Sequence, residues 1–231
     1  MHNGSSKAIP SPRVVIACCI MQLEMEALQS EDKCVEVRYL DQSLHRTPDR
    51  MPRLLQEQID DVEKYASKII LGYGLCSNGI VGVKAPKQGM IVPRAHDCIT
   101  LFLGSRARYD KTFHEKPGTY YLTPGWVAEK KDPLGQMENE YMPKMGREMA
   151  EWGIKEELKH YTHIALIDTQ VVNLAPLRQR AMQNAQFLDK KYEEISGALD
   201  FFKKILFGPY NKDDFLFLKP GETVKQKPFL C

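Results

Sequence analysis

No apolar run in this chain approaches the roughly 20 residues that a membrane-spanning helix needs, so no membrane partner is expected. Nor is charge of either sign in excess: 32 Lys and Arg stand against 30 Asp and Glu, a net of +2. Nucleic-acid binders carry a concentrated basic excess, so no nucleic-acid partner is expected either. Residues 1–12 lack the apolar stretch of a secretory signal and are polar, with Gly, Ser and Pro. They read as a flexible leader, and the protein as cytoplasmic. Internal repeats, heptads and low-complexity tracts are missing. So is the Cys-x-x-Cys spacing that marks a zinc finger.

What the chain does have is 231 residues with 43% hydrophobic content, enough to bury a substantial core. Apolar segments at Arg13–Cys18, Val35–Tyr39, Lys68–Gly72, Met90–Pro93, Tyr120–Leu122, Thr162–Asp168 and Asp214–Leu218 read as strands. Helical spacing marks 21–29, 54–66 and 99–103, a long amphipathic stretch over 136–159, and most of 176–207. Strands alternating with helices predict an α/β fold, a mostly parallel sheet flanked by helices, with two lobes parting near residue 130. The expected organisation is a leader over 1–12, one α/β domain over 13–220 and a tail over 221–231.

Six cysteines stand at 18, 19, 34, 76, 98 and 231. Without an export signal, such thiols are expected to be reduced, buried, catalytic or metal-bound. In an open α/β sheet ligands bind beyond the carboxyl ends of the strands. Cys18 and Cys19 close the first strand, Cys76 lies four residues past Gly72, and His96 and Cys98 follow the fourth strand. All should emerge at one edge, whereas Cys34 opens the second strand and Cys231 ends the chain. Thiolate and imidazole suit zinc, and three thiolates can hold an iron–sulfur cluster. Buried cysteines with an ordinary histidine account for the same residues.

Gly72-Tyr-Gly-Leu-Cys-Ser-Asn-Gly79 fails both phosphate-loop tests. Ser77 stands where a dinucleotide fingerprint needs glycine, and Ile80 where a P-loop needs lysine. As a thiol hydrolase, Cys76 would be the nucleophile and His96 its base, although Asn78 replaces the elbow glycine. Asp168 and Thr169 end a strong strand, as crevice residues or as a helix cap. Trp126 walls a pocket or packs. Arg94 and Arg106 hold an anionic substrate or form surface ion pairs. Glu24 faces the crevice or favours the helix dipole, and His45, His114 and His160 read as surface residues.

Ala17-Cys18, Glu24, Gly72-Tyr-Gly-Leu-Cys76-x-Asn-Gly79, Pro93-Arg-Ala-His-Asp-Cys98, Leu103-Gly-Ser-Arg106 and Pro117-Gly-Thr-Tyr-Tyr-Leu-Thr-Pro-Gly-Trp126 together resemble the domain of unknown function 1638 family. The resemblance runs over about residues 13–220 and implies no reaction. It carries over Cys18, Cys76, His96 and Cys98, with Cys19 as a competing addition, and implies an association with corrinoid methyltransferase components.

The expectation is a metal-dependent enzyme with Cys18, Cys76, His96 and Cys98 as ligands. Zinc is the first choice of metal and an iron–sulfur cluster the second. The enzyme would transfer a methyl, alkyl or sulfur group on a small-molecule substrate. Cys76, His96 and Asp168 are the candidate catalytic residues, and Arg94, Arg106 and Trp126 the candidate substrate-binding ones. Two alternatives stand beside it: a closed metal site in a non-catalytic accessory protein, and the metal-free thiol hydrolase.

Overall fold

Val14, Val15 and Ile16 have no exposure at all, as expected of a strand covered on both faces. In the computed structural model, which describes residues 11–29, 34–41 and 48–229, this strand is an interior strand of a five-stranded sheet. The elements are β1 (Arg13–Cys18), a 3-10 turn (Cys19–Met21), α1 (Gln22–Gln29), β2 (Val35–Leu40), α2 (Met51–Val62), β3 (Lys68–Gly72), β4 (Met90–Pro93), α3 (Cys98–Leu103), α4 (Arg106–Glu115) and β5 (Thr119–Leu122). There follow α5 (Pro124–Ala128), α6 (Pro133–Gln136), a π turn (Met137–Tyr141), α7 (Met142–Met145), α8 (Arg147–Glu157) and β6 (His163–Asp168). The chain continues through α9 (Ala175–Leu188), β7 (Lys191–Ser196), α10 (Asp200–Phe207) and β8 (Phe215–Leu218).

The first sheet runs β2-β1-β3-β4-β8, parallel except for the antiparallel edge strand β8. The second sheet, β5-β6-β7, is wholly parallel. Helix α2 covers the first with Met51, Leu55, Ile59 and Val62, a stripe at helical spacing. Helix α10 adds Phe201, Phe202, Ile205 and Leu206 to the same core. A second core gathers Leu122, Ile164, Leu166, Ala181 and Leu188 around the second sheet. Inside it Asp132, fully buried, accepts hydrogen bonds from Asn184 Nδ2 (2.7 Å), Arg180 Nε (3.0 Å) and the Gly135 amide (3.2 Å).

Three sequence expectations are corrected. The second sheet begins at Thr119 rather than near residue 130, and α10 and β8 return the chain to the first sheet. The stretch 176–207 contains β7, whose Tyr192, Glu193 and Ile195 are only half-buried, so charge masks its alternation. The stretch 136–159 is broken by the π turn and by Gly146, which takes φ +76°. Residues 221–229 lie back along the first sheet's loops: Val224 exchanges backbone bonds with Gly82 and Val83, and Val224 and Phe229 are buried. The expected leader over 1–10, His45 and Cys231 lie outside the described residues.

Candidate functional site

Strand order reverses between β1 and β3, and in an open parallel sheet the crevice lies at that reversal, beyond the strand ends. Cys18 is the last residue of β1 and is fully buried. Past β3, Leu75 and Cys76 donate backbone bonds to the carbonyls of Ala95 and His96, at 2.9 and 3.0 Å. That pairing needs Gly74, because a Cβ there would sit 2.7 Å from the Asp97 backbone. The chain then turns through Cys76, Ser77 and Asn78, which take φ of +47°, +56° and +68°. Three consecutive left-handed non-glycine residues are costly, and such strain concentrates at working sites.

Cys98 opens α3, which Asp97 caps by accepting from the Thr100 amide at 3.1 Å. The two close approaches bring Cys76 Sγ within 3.6 Å of Cys98 Sγ, and both thiols are buried. The Cys76 hydrogen bond, then burial, push the Cys98 thiol well above its ordinary value. Cys18 is raised likewise, first by its bond with Cys19 and then by burial, and charge on Cys98 adds to it. Under these groups lies Tyr73, fully buried; desolvation raises its phenol, and all four thiols oppose its ionisation.

A cavity of about 270 Å3 opens onto Cys76 and Cys98, with His96, Tyr109, Trp126 and Ile20 among its walls. His96 is a third exposed, stacks on Tyr109 at 5.6 Å and directs Nε2 towards Asp110 Oδ1 at 3.8 Å. Trp126 is held by a bond from Nε1 to the Lys131 carbonyl (2.7 Å) and by the Thr123 cap of α5. Helix α5 reaches this edge because Gly125 lies against Ile20: a Cβ would stand 2.1 Å from the Ile20 carbonyl oxygen.

The structure thus brings Cys76, Cys98, His96 and Trp126 around one cavity, with Cys18 buried behind it. Among the described residues no three His, Cys, Asp or Glu side chains are gathered closely enough to enclose an ion as they stand. The other candidates lie elsewhere. Asp168 Oδ1 accepts from the Gln170 amide in the turn after β6, at 2.8 Å. Arg94 donates to the Lys212 carbonyl at 3.2 Å, and Arg106 begins α4 without lining the cavity. Cys34 is exposed ahead of β2.

Sequence reasoning missed Asp97 and Tyr109. Tyr109 donates from its hydroxyl to Asp97 Oδ2 at 3.1 Å, and burial raises the Asp97 carboxyl against that bond. The spacing Asp97-x-x-Thr100 is a capping signal legible in the sequence. No periodicity distinguishes Tyr109 in a helix that buries no residue fully.

Fold and site together define a two-sheet α/β protein whose parallel strand ends carry a thiol-lined cavity. The chain belongs to the family described as protein of unknown function (DUF1638), whose model matches residues 39–206. That stretch covers Cys76, His96 and Cys98 and stops short of Cys18, Cys19 and Glu24, a narrower span than 13–220. No curated protein and no solved structure matches the chain. Among the described residues no helix is long and apolar enough to cross a membrane.

Proposed function

We propose that this is a cytoplasmic enzyme in which Cys76 and Cys98 hold a soft metal ion at the cavity floor and transfer a methyl, alkyl or sulfur group on a small molecule. The observation that carries the reading is the separation of the two sulfurs. Zinc–thiolate bonds of about 2.3 Å in a tetrahedron put ligand atoms about 3.8 Å apart, and these stand at 3.6 Å. The donor chemistry fits zinc. Cys18, buried at the end of β1, is the third donor. His96 is the fourth donor or a base at the cavity wall. A zinc ion supplies a lowered pKa to a bound substrate thiol. The protein's own share is to seal the sulfurs from water, to fix Cys76 on a rigid turn, and to place Trp126 and Tyr109 against the substrate.

Elemental analysis of protein purified without oxygen and without a metal-binding tag tests this. About one zinc per chain, lost from folded Cys76→Ser and Cys98→Ser variants, supports it. Several irons with visible absorption replace zinc by a cluster. Metal whose loss unfolds the protein favours a closed structural site in an accessory protein. No metal at all overturns the reading.

One observation favours the metal-free alternative. The left-handed turn at Cys76 presents its sulfur as a strained elbow presents a nucleophile, with His96 on the same cavity. That reading expects iodoacetamide to modify Cys76 before exposed Cys34, as mapped by mass spectrometry. Modification of Cys34 first argues against it.

A further inference from the structure

A second cavity, of about 240 Å3, adjoins the first and shares Asp97, Ile99, Tyr109 and Trp126 with it. Rings from two separate parts of the chain flank it. On α4, Tyr109 stacks on Phe113 with centroids 6.1 Å apart and planes within 7°. Around β5, Tyr120 meets Trp126 at 6.2 Å and Tyr161 at 5.3 Å, both edge-on. Asp97 lines the same cavity, and its carboxylate accepts from Thr100 and Tyr109. Among the described residues no lysine or arginine pairs with it, and His96 is the basic side chain that favours its charge.

An anion would be repelled by Asp97, and a neutral apolar ligand would offer that carboxylate nothing beyond the bonds from Thr100 and Tyr109 that it already accepts. A small metal ion would need several oxygen ligands, which ring walls do not offer. A cation whose charge is spread over alkyl groups satisfies both features at once: ring faces attract it through their quadrupoles, and the carboxylate neutralises it. The geometry points to an organic-cation site in which these aromatic walls enclose an alkylated onium headgroup, such as a quaternary ammonium, with Asp97 as its counter-ion. This rests on the thiol cavity being a substrate site, and it names the substrate class: the headgroup lies in the cavity that adjoins the one lined by Cys76 and Cys98.

The chain has two tryptophans, so a Trp152→Phe variant, changed at an exposed position, leaves Trp126 as the sole fluorescent reporter in the cage. Titration with choline is expected to give a saturable change. Choline's neutral isostere, with carbon in place of nitrogen, should bind at least about tenfold more weakly. Asp97→Asn should abolish that preference. Because Asp97 also caps α3, Phe113→Ala serves as the second variant: its ring is 47% exposed, and its loss should weaken choline about threefold or more. Equal affinity for the two probes, absence of a saturable response, or an unchanged Phe113→Ala variant overturns the site. The same titration in Cys76→Ser separates the two proposals. Choline binding retained there upholds the cage whether or not metal is bound, and binding lost there overturns an independent cage.

Discussion

Thr169 Oγ1 donates a 2.7 Å hydrogen bond to Glu24 Oε1, and both side chains are buried. The bond ties the loop after β6, in the second sheet, to α1 of the first. Thr169 and the backbone amide of Glu24 itself are the groups that favour the charged carboxyl, and Oε2 has no hydrogen-bond partner among the described residues. Burial therefore wins, and the carboxyl is pushed from 4.5 up to about 7.

A buried acid raised in this way makes stability fall as pH rises. Below the unfolded value of 4.5 both states hold the proton and nothing is lost. Between 4.5 and about 7 the unfolded chain releases its proton first, so the fold is progressively disfavoured. Above that window the loss is complete, roughly 3 kcal/mol. Glu24→Gln should therefore gain on the wild type between about pH 5 and about pH 8 in urea unfolding. A constant difference between the two proteins across that range would remove Glu24 as the cause.

Gly74→Ala should separate the two sulfur-bearing loops. Its Cβ meets backbone rather than a flexible side chain, so the 75–76 segment must lift from 95–97. Overpacking of this kind costs roughly 1–3 kcal/mol. The urea midpoint should drop accordingly, and Cys98 should become open to alkylation in the folded state. A folded variant of unchanged stability with Cys98 still protected would contradict the close approach.

Asn184→Ala tests the second core. The amide bonds Asp132 through Nδ2 and the Leu134 backbone through Oδ1, at 2.7 and 2.9 Å. Its removal leaves buried polar groups unmet, a loss of about 2–3 kcal/mol by denaturant unfolding. A change under about 0.5 kcal/mol, the range of surface substitutions, would show that Arg180 and the Gly135 amide satisfy Asp132 without it.

Strands β1, β3 and β4 of the first sheet were legible because they are buried on both faces and read as nearly continuous apolar runs. From them followed the meeting of Cys76, His96 and Cys98, since strand ends fix which loops share a crevice. Strand β7 was not legible, because Lys191, Glu193 and Glu194 place charge on a half-exposed edge. Helix α4 was hidden for a related reason: it buries no residue fully, and Ser105 and Tyr109 hold it through a cap and a ring stack. The aromatic cage combines residues from α4, β5 and α5 with Tyr161, and only the tertiary fold sets them side by side.

Strand β8 covers the open side of β4, pairing Met90–Pro93 with Phe215–Leu218. During synthesis β1, β3 and β4, with every thiol of the cavity, leave the ribosome long before residue 215. Until then the β4 edge offers free backbone groups to any passing strand. The nascent chain thus carries a ready-made acceptor beside the strand ends that bear the cavity thiols. Translation speed past residue 93 and cover of that edge become determinants of how much of the chain reaches this fold.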